Sequence, residues 1–225
     1  MLCLYRVNSA GINSICRMRM ERDLICFRHC GETIFVYQTL SSCPLCGDPL
    51  SSDLDDSPLT LPCPFIRASQ YPCAVVLRPS RGDFLSSFQN QENLHIALTS
   101  LSGDITEYDT EGLVKTLAKN SGDWNQAILV AQVPEGFYDR WEEVLAGVDR
   151  RRWSKDTYQE ASHNCYTFVL SFLVNIGYEE FSAYCHDKFL FSEQYIAPKT
   201  RNAAKFITIH RKLQSCGYWI DAQQQ

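Results

Sequence analysis

The sequence predicts an α+β fold on three observations: a series of short β-prone runs, one complete amphipathic helix, and a compact cysteine-paired unit ahead of both. Residues 1–22 show no clear period, with Gly11 and several charges interrupting any stripe, and read as a loosely held extension. Residues 26–47, CFRHCGETIFVYQTLSSCPLCG, set two cysteine pairs around residues 33–37, whose β-branched and aromatic side chains favour a strand. A zinc-knuckle unit is therefore expected over 23–47. Ser, Asp and Pro dominate DPLSSDLDDSPLTLPCP, so 48–72 is expected to be a linker, exposed through residue 64.

A single larger domain is expected over 73–225. AVVL (74–77) and LHIALT (94–99) read as strands, and DITEY (104–108) returns from the second across a Ser102-Gly103 turn to make a hairpin. Leu113, Val114, Leu117 and Ala118 fall at helical spacing within 111–119; 126–133 reads as a strand and 137–148 as a helix. Cys165, Phe168, Val169, Phe172, Leu173 and Ile176 form the complete stripe, which stops at Gly177. A final helix is expected from about 201 to 215, with Gly217 as its stop.

Charge narrows the partners. Twenty-six acidic against 21 basic residues give a formal charge of −5, which offers no footprint for nonspecific binding to nucleic acid or anionic lipid. No run reaches the about 18 uninterrupted apolar residues of a membrane span; the best, 168–176, contains Ser171 and Asn175. The opening MLCLYRVNSAGINSICRMRMERD lacks the basic, apolar and small-residue succession of a secretory signal, so an intracellular address, cytoplasmic or nuclear, is expected. Eleven cysteines in such a chain are expected to be thiols or metal ligands rather than disulfides.

Cys43-Pro-Leu-Cys46-Gly has knuckle geometry: two intervening residues let both sulfurs reach one zinc ion at about 2.3 Å, and Gly47 lets the backbone turn. Upstream, Cys26-Phe-Arg-His29-Cys30 supplies the other ligands, Cys30 with either Cys26 or His29. A closed four-ligand set makes that one zinc structural. Elsewhere, Cys165 opens the fully striped helix, where free backbone N–H groups and the dipole favour a reactive thiolate. His95, early in its strand, is the candidate base, and the hairpin return brings Glu107 or a neighbour beside it, the shared face depending on a register the sequence leaves open. His163 is expected to be a cap or surface residue.

The strand-borne His95 followed by Asn164-Cys165 at a helix start resembles the circularly permuted papain-like proteins, the group of the lecithin:retinol acyltransferase and PPPDE peptidase families. That resemblance implies an antiparallel sheet carrying His95 packed on the Cys165 helix, with Glu107 at the third position. A carboxylate there, instead of the acyltransferases' second histidine, argues against acyl transfer on lipids. More narrowly, RHCGETIFVYQTLSSCPLCGDPL, PCAVVLRPSRGDFL, LHIALTSLSGDITEYDTEG, HNCYTFVLSF and PKTRNAAKFITIHRKL together resemble the makorin opposite-strand protein family, whose HC…CPxC pattern matches His29, Cys30, Cys43 and Cys46. The resulting expectation is a thiol hydrolase or peptidase-like enzyme acting on protein, or a noncatalytic adaptor that binds protein on the same scaffold.

Overall fold

The computed structural model describes residues 22–50, 54 and 57–221; the extension expected over 1–22 lies almost wholly outside them. Among the described residues, nine strands and five α-helices fall into two compact units, one drawn from those up to Cys63 and from Thr208 onward, the other from Pro64–Ile207. The architecture is α+β with two antiparallel sheets. Among the described residues no helix is long and apolar enough to cross a membrane.

The smaller unit is a four-stranded sheet in the order β3-β1-β2-β9. Strands β1 (Leu24–His29) and β2 (Glu32–Val36) form a hairpin with the two-residue loop Cys30-Gly31, both at positive φ (56° and 76°), the conformation that matches the twist of paired strands. Strand β3 (Leu59–Leu61) pairs with β1, and β9 (Tyr218–Asp221) closes the other edge on β2. Phe27, Ile34, Val36, Cys43 and Leu50 make its core.

Two boundaries therefore differ from the expected ones. The linker expected over 48–72 contains β3, and beyond it Phe65 stacks on Phe84 at 5.0 Å while Ala68 is fully buried, because apolar residues in PLTLPCPFIRA find partners that local composition does not reveal. The domain expected over 73–225 also gives its last strand to the smaller sheet, a pairing between segments too distant in sequence for any local pattern to signal.

The larger unit is built on a five-stranded sheet, β7-β6-β5-β4-β8. Strands β4 (Ala74–Pro79), β5 (Leu94–Thr99) and β6 (Ile105–Asp109) run as expected, and β5 is buried on both faces at its centre. The β5–β6 turn needs Gly103: its φ is +80°, and a Cβ there would lie 2.2 Å from the Ser69 carbonyl oxygen. Strand β7 (Gly112–Thr116) replaces the helix expected over 111–119. Apolar neighbours such as Leu113 and Val114 satisfy a helical stripe and a strand equally, and the Asp109↔Gly112 hairpin, with Asp109 Oδ1 accepting from Glu111 N at 2.8 Å, decides for the strand. Strand β8 (Ile128–Gln132) pairs with β4.

Five helices follow: α1 (Tyr138–Ala146), α2 (Cys165–Ile176), the short α3 (Glu179–Ser182) and α4 (Lys188–Phe191), and α5 (Ala197–Cys216). Helix α2 packs on β5 and β6 through Phe168, Val169, Phe172 and Leu173, all buried. From α1, Trp141 meets Phe172 edge-on at 4.7 Å and donates its indole N–H to the Thr99 carbonyl at 2.9 Å.

What starts α2 is a full capping box. Asn164 Oδ1 accepts from Tyr166 N and Thr167 N, and Thr167 Oγ1 accepts from Asn164 N at 2.8 Å. Gly177, left-handed at φ 68°, ends it. Asn164→Ala should therefore cost about 1–2 kcal/mol of stability, with Asn164→Ser recovering most of it, read as the urea midpoint. Equal midpoints for all three proteins would show that the cap contributes nothing.

Candidate functional site

Two groups of reactive side chains form, one in each unit. In the smaller unit the ligand atoms of His29, Cys30, Cys43 and Cys46 all lie within 4.8 Å of one another. The hairpin loop carries Cys30, and His29 precedes it at the end of β1, with Nδ1 3.0 Å from Cys30 Sγ and 3.8 Å from Cys46 Sγ. The other pair sits on a knuckle closed by Gly47 N donating to Cys43 O at 2.9 Å, with Gly47 at φ +83°. Leu45 N donates to Cys43 Sγ at 3.3 Å.

Crowding sets the thiols against one another. Burial opposes the Cys43 thiolate, but backbone N–H groups of Cys46 and Leu45 outweigh it and bring its pKa to about 7. Cys30 is pushed up to about 12, first by its hydrogen bond to Cys46, then by burial and by Cys43. A dication would relieve such a cluster, and one imidazole with three thiolates is a four-ligand set that suits zinc.

Cys26, the alternative fourth ligand, is not in the group. Strand alternation is the reason: Phe27 and His29 face the small core with Cys43, whereas Cys26 and Arg28 face the other way. Burial raises the Cys26 thiol.

In the larger unit, His95, Glu107 and Cys165 come together. The β5–β6 ladder pairs Ala97 with Glu107, so Glu107 shares a face with Ala97 and with His95 two residues earlier. His95 Nε2 lies 2.9 Å from Glu107 Oε2 as an ion-pair contact, although neither atom has an aligned hydrogen-bond partner. Arg78, opposite His95 on β4, places Nη2 3.6 Å from the same oxygen. Trp124, 1% exposed, lies 6.1 Å from the His95 ring and under the Arg78 guanidinium at 4.9 Å.

The β5–β6 ladder ends at Ala97, and His95 lies beyond it, where a cavity of about 430 Å³ opens between His95, Cys165, Asn164, Tyr158, Tyr166 and Lys188. A compartment of about 570 Å³ that also has His95 in its wall is lined by Arg78, Arg81, Asp109 and Glu160 among others. The Cys165 thiol, at the first turn of α2, is a side-chain hydrogen-bond partner of the His95 ring. Burial pulls the His95 pKa down, but Cys165 and Glu107 outweigh it and push it up to about 9, a shift that favours the protonated ring. Burial likewise works against the Glu107 carboxylate, yet His95, Arg78 and Trp124 hold it below the usual range.

The remaining histidines stand apart from this chemistry. His163 stacks on Trp153 at 4.5 Å, with Nε2 3.1 Å from the Arg152 carbonyl. His186 is exposed. His210 contacts the Tyr37 hydroxyl through Nδ1 and Gln214 through Nε2. Sequence reasoning missed Arg78 and Trp124. The one available signal was a charged residue inside the apolar run AVVLRP, which gains meaning only once register sets it opposite His95.

Comparison with known proteins agrees with the resemblance to the makorin opposite-strand family. The DUF4796 C-terminal family matches residues 58–213 and the DUF4796 N-terminal family residues 22–50. A human relative, MKRN2 opposite strand protein, is 30% identical over 210 residues, which cover 91% of this chain and 92% of the relative. No solved structure matches the chain.

Proposed function

The chain belongs to the DUF4796 family of makorin opposite-strand proteins, and from that premise we propose that its larger unit is a thiol hydrolase on a permuted papain-like scaffold. One observation carries the reading: a helix-opening cysteine and a buried histidine line one cavity, and a buried carboxylate holds the histidine at Nε2. Cys165, as the thiolate paired with the His95 imidazolium, attacks the carbonyl carbon of an amide or ester, forming the S–C bond as the carbonyl π electrons move to oxygen. His95 gives its proton to the departing nitrogen or oxygen as that bond breaks. With Nε2 held by Glu107, Nδ1 is the nitrogen that exchanges the proton. His95 then takes a proton from water, whose oxygen attacks the thioester carbon, and the S–C bond breaks to return the Cys165 thiolate beside the His95 imidazolium. The substrate class is protein, and the smaller unit holds one structural zinc through His29, Cys30, Cys43 and Cys46 in a zinc-ribbon-like sheet.

The test is site-resolved labelling. At limiting iodoacetamide, Cys165 is expected to be alkylated before Cys63 and Cys216, and His95→Ala to slow it at least ten-fold, as scored by peptide mass spectrometry. A Cys165 no faster than those two ends the hydrolase reading. A second reading, a noncatalytic scaffold that binds protein through this cleft, is favoured by one fact: Cys165 is only 6% exposed. It predicts that same slow thiol.

A further inference from the structure

We propose that Arg78 is a positioning residue of this site, holding the Glu107 carboxylate between two cations so that His95 keeps its orientation and can release its proton. The inference rests on the reading of Cys165, His95 and Glu107 as a proton-transfer set and adds a fourth side chain and a regulation of that set.

Register brings Arg78 there. It pairs directly with His95 across β4 and β5, so both side chains leave the sheet on the same face. Its Nη2 and His95 Nε2 approach one and the same oxygen, Glu107 Oε2, at 3.6 and 2.9 Å. The guanidinium is itself held: its plane lies over the Trp124 indole at 4.9 Å, and Nη1 donates to the Pro79 carbonyl at 3.4 Å. Trp124 also hydrogen-bonds to Glu107. Arg78 Nε is buried without a partner, a cost that a purely structural arginine has no reason to carry.

Two cations sharing one carboxylate oxygen each bind it less strongly than one alone. An imidazolium paired with an undivided buried carboxylate would hold its proton too firmly to act as an acid. Arg78 takes part of that negative charge and also repels the imidazolium, so His95 loses its proton more readily. The groups that face this centre are Arg78 from β4, His95 from β5, Glu107 from β6, Trp124 from the turn at 122–124, and Cys165 from α2; Arg81, Glu92, Asp109 and Glu160 line the adjoining compartment.

The experiment follows the His95 titration by NMR in full-length wild type, Arg78→Gln and Arg78→Lys. In parallel it follows the pH profile of Cys165 alkylation by iodoacetate, whose carboxylate is drawn to an imidazolium, so that the rate falls as His95 deprotonates. Arg78→Gln is expected to raise the His95 midpoint by about half a pH unit, a three-fold gain in proton affinity, and to move the alkaline limb of alkylation the same way. Arg78→Lys, which keeps the charge, restores most of both. If Arg78→Gln leaves the midpoint in place, or Arg78→Lys shifts it as far as Arg78→Gln does, Arg78 only packs against Trp124 and the proposal is overturned. Should Arg78→Gln not fold, Arg78→Met keeps the packed stem and gives the same reading. A Cys165 that never reacts would end the hydrolase reading alone, because the NMR midpoint still decides the role of Arg78.

Discussion

Chelation is expected to unfold the smaller unit, if the His29, Cys30, Cys43 and Cys46 cluster holds its proposed zinc. Its strands have three to six residues each, and among the described residues the cluster beneath the knuckle is Phe27, Ile34, Val36, Cys43 and Leu50 with a few partly buried neighbours, a small core to hold a sheet against chain entropy. Zinc in comparable small units contributes an apparent 10–16 kcal/mol, roughly the whole of their folding energy. Treatment with a strong chelator, or Cys43→Ser, should abolish amide protection across 24–50 in hydrogen exchange while β4–β8 stay protected. Metal analysis that finds no zinc in purified protein, or unchanged protection after chelation, refutes the metal assignment.

Glu107→Gln should be the most destabilising single change in the larger unit that removes no volume, about 3 kcal/mol at pH 7, because it leaves two cations facing each other without their carboxylate. Its cost should depend on pH. The folded state raises His95 from 6.5 to about 9, so the stability gained from its charged form is complete below about 6.5 and fades as pH climbs through 9. Glu107 is shifted the other way, and its share is present above about 4.5 and fades in acid. Urea midpoints should therefore show a smaller gap between wild type and variant at pH 10 than at pH 7. A gap of equal size at both would mean that His95 and Glu107 are not electrostatically coupled.

The features legible in sequence were those written in local spacing. Cys43-x-x-Cys46 gives the knuckle, the six-residue stripe gives α2 to the residue, and the Ser102-Gly103 turn gives the β5–β6 hairpin. What could not be read depends on register between strands. Alternation along β1 decides for His29 and against Cys26, but only once β1 is known to be a strand. Register along β4 and β6 decides that Arg78 and Glu107 both reach His95. Strand β7 was lost because a four-residue apolar pattern serves either geometry, and β3 and β9 because each is short and pairs with a distant partner.

The pairing of β9 with β2 also sets a schedule. A ribosome delivers β1, β2 and the knuckle early, and these are neighbours that can close on a metal ion as soon as they emerge. The strand that covers β2 is synthesised only after the entire five-stranded sheet and helices α1 to α5. Throughout that interval the backbone of Glu32–Val36, a segment reading ETIFV, presents an open edge to any other extended chain. The hazard of misassembly thus falls on the nascent protein and on any product cut short before Tyr218, and a stalled or truncated chain is the form of this protein that most needs a chaperone.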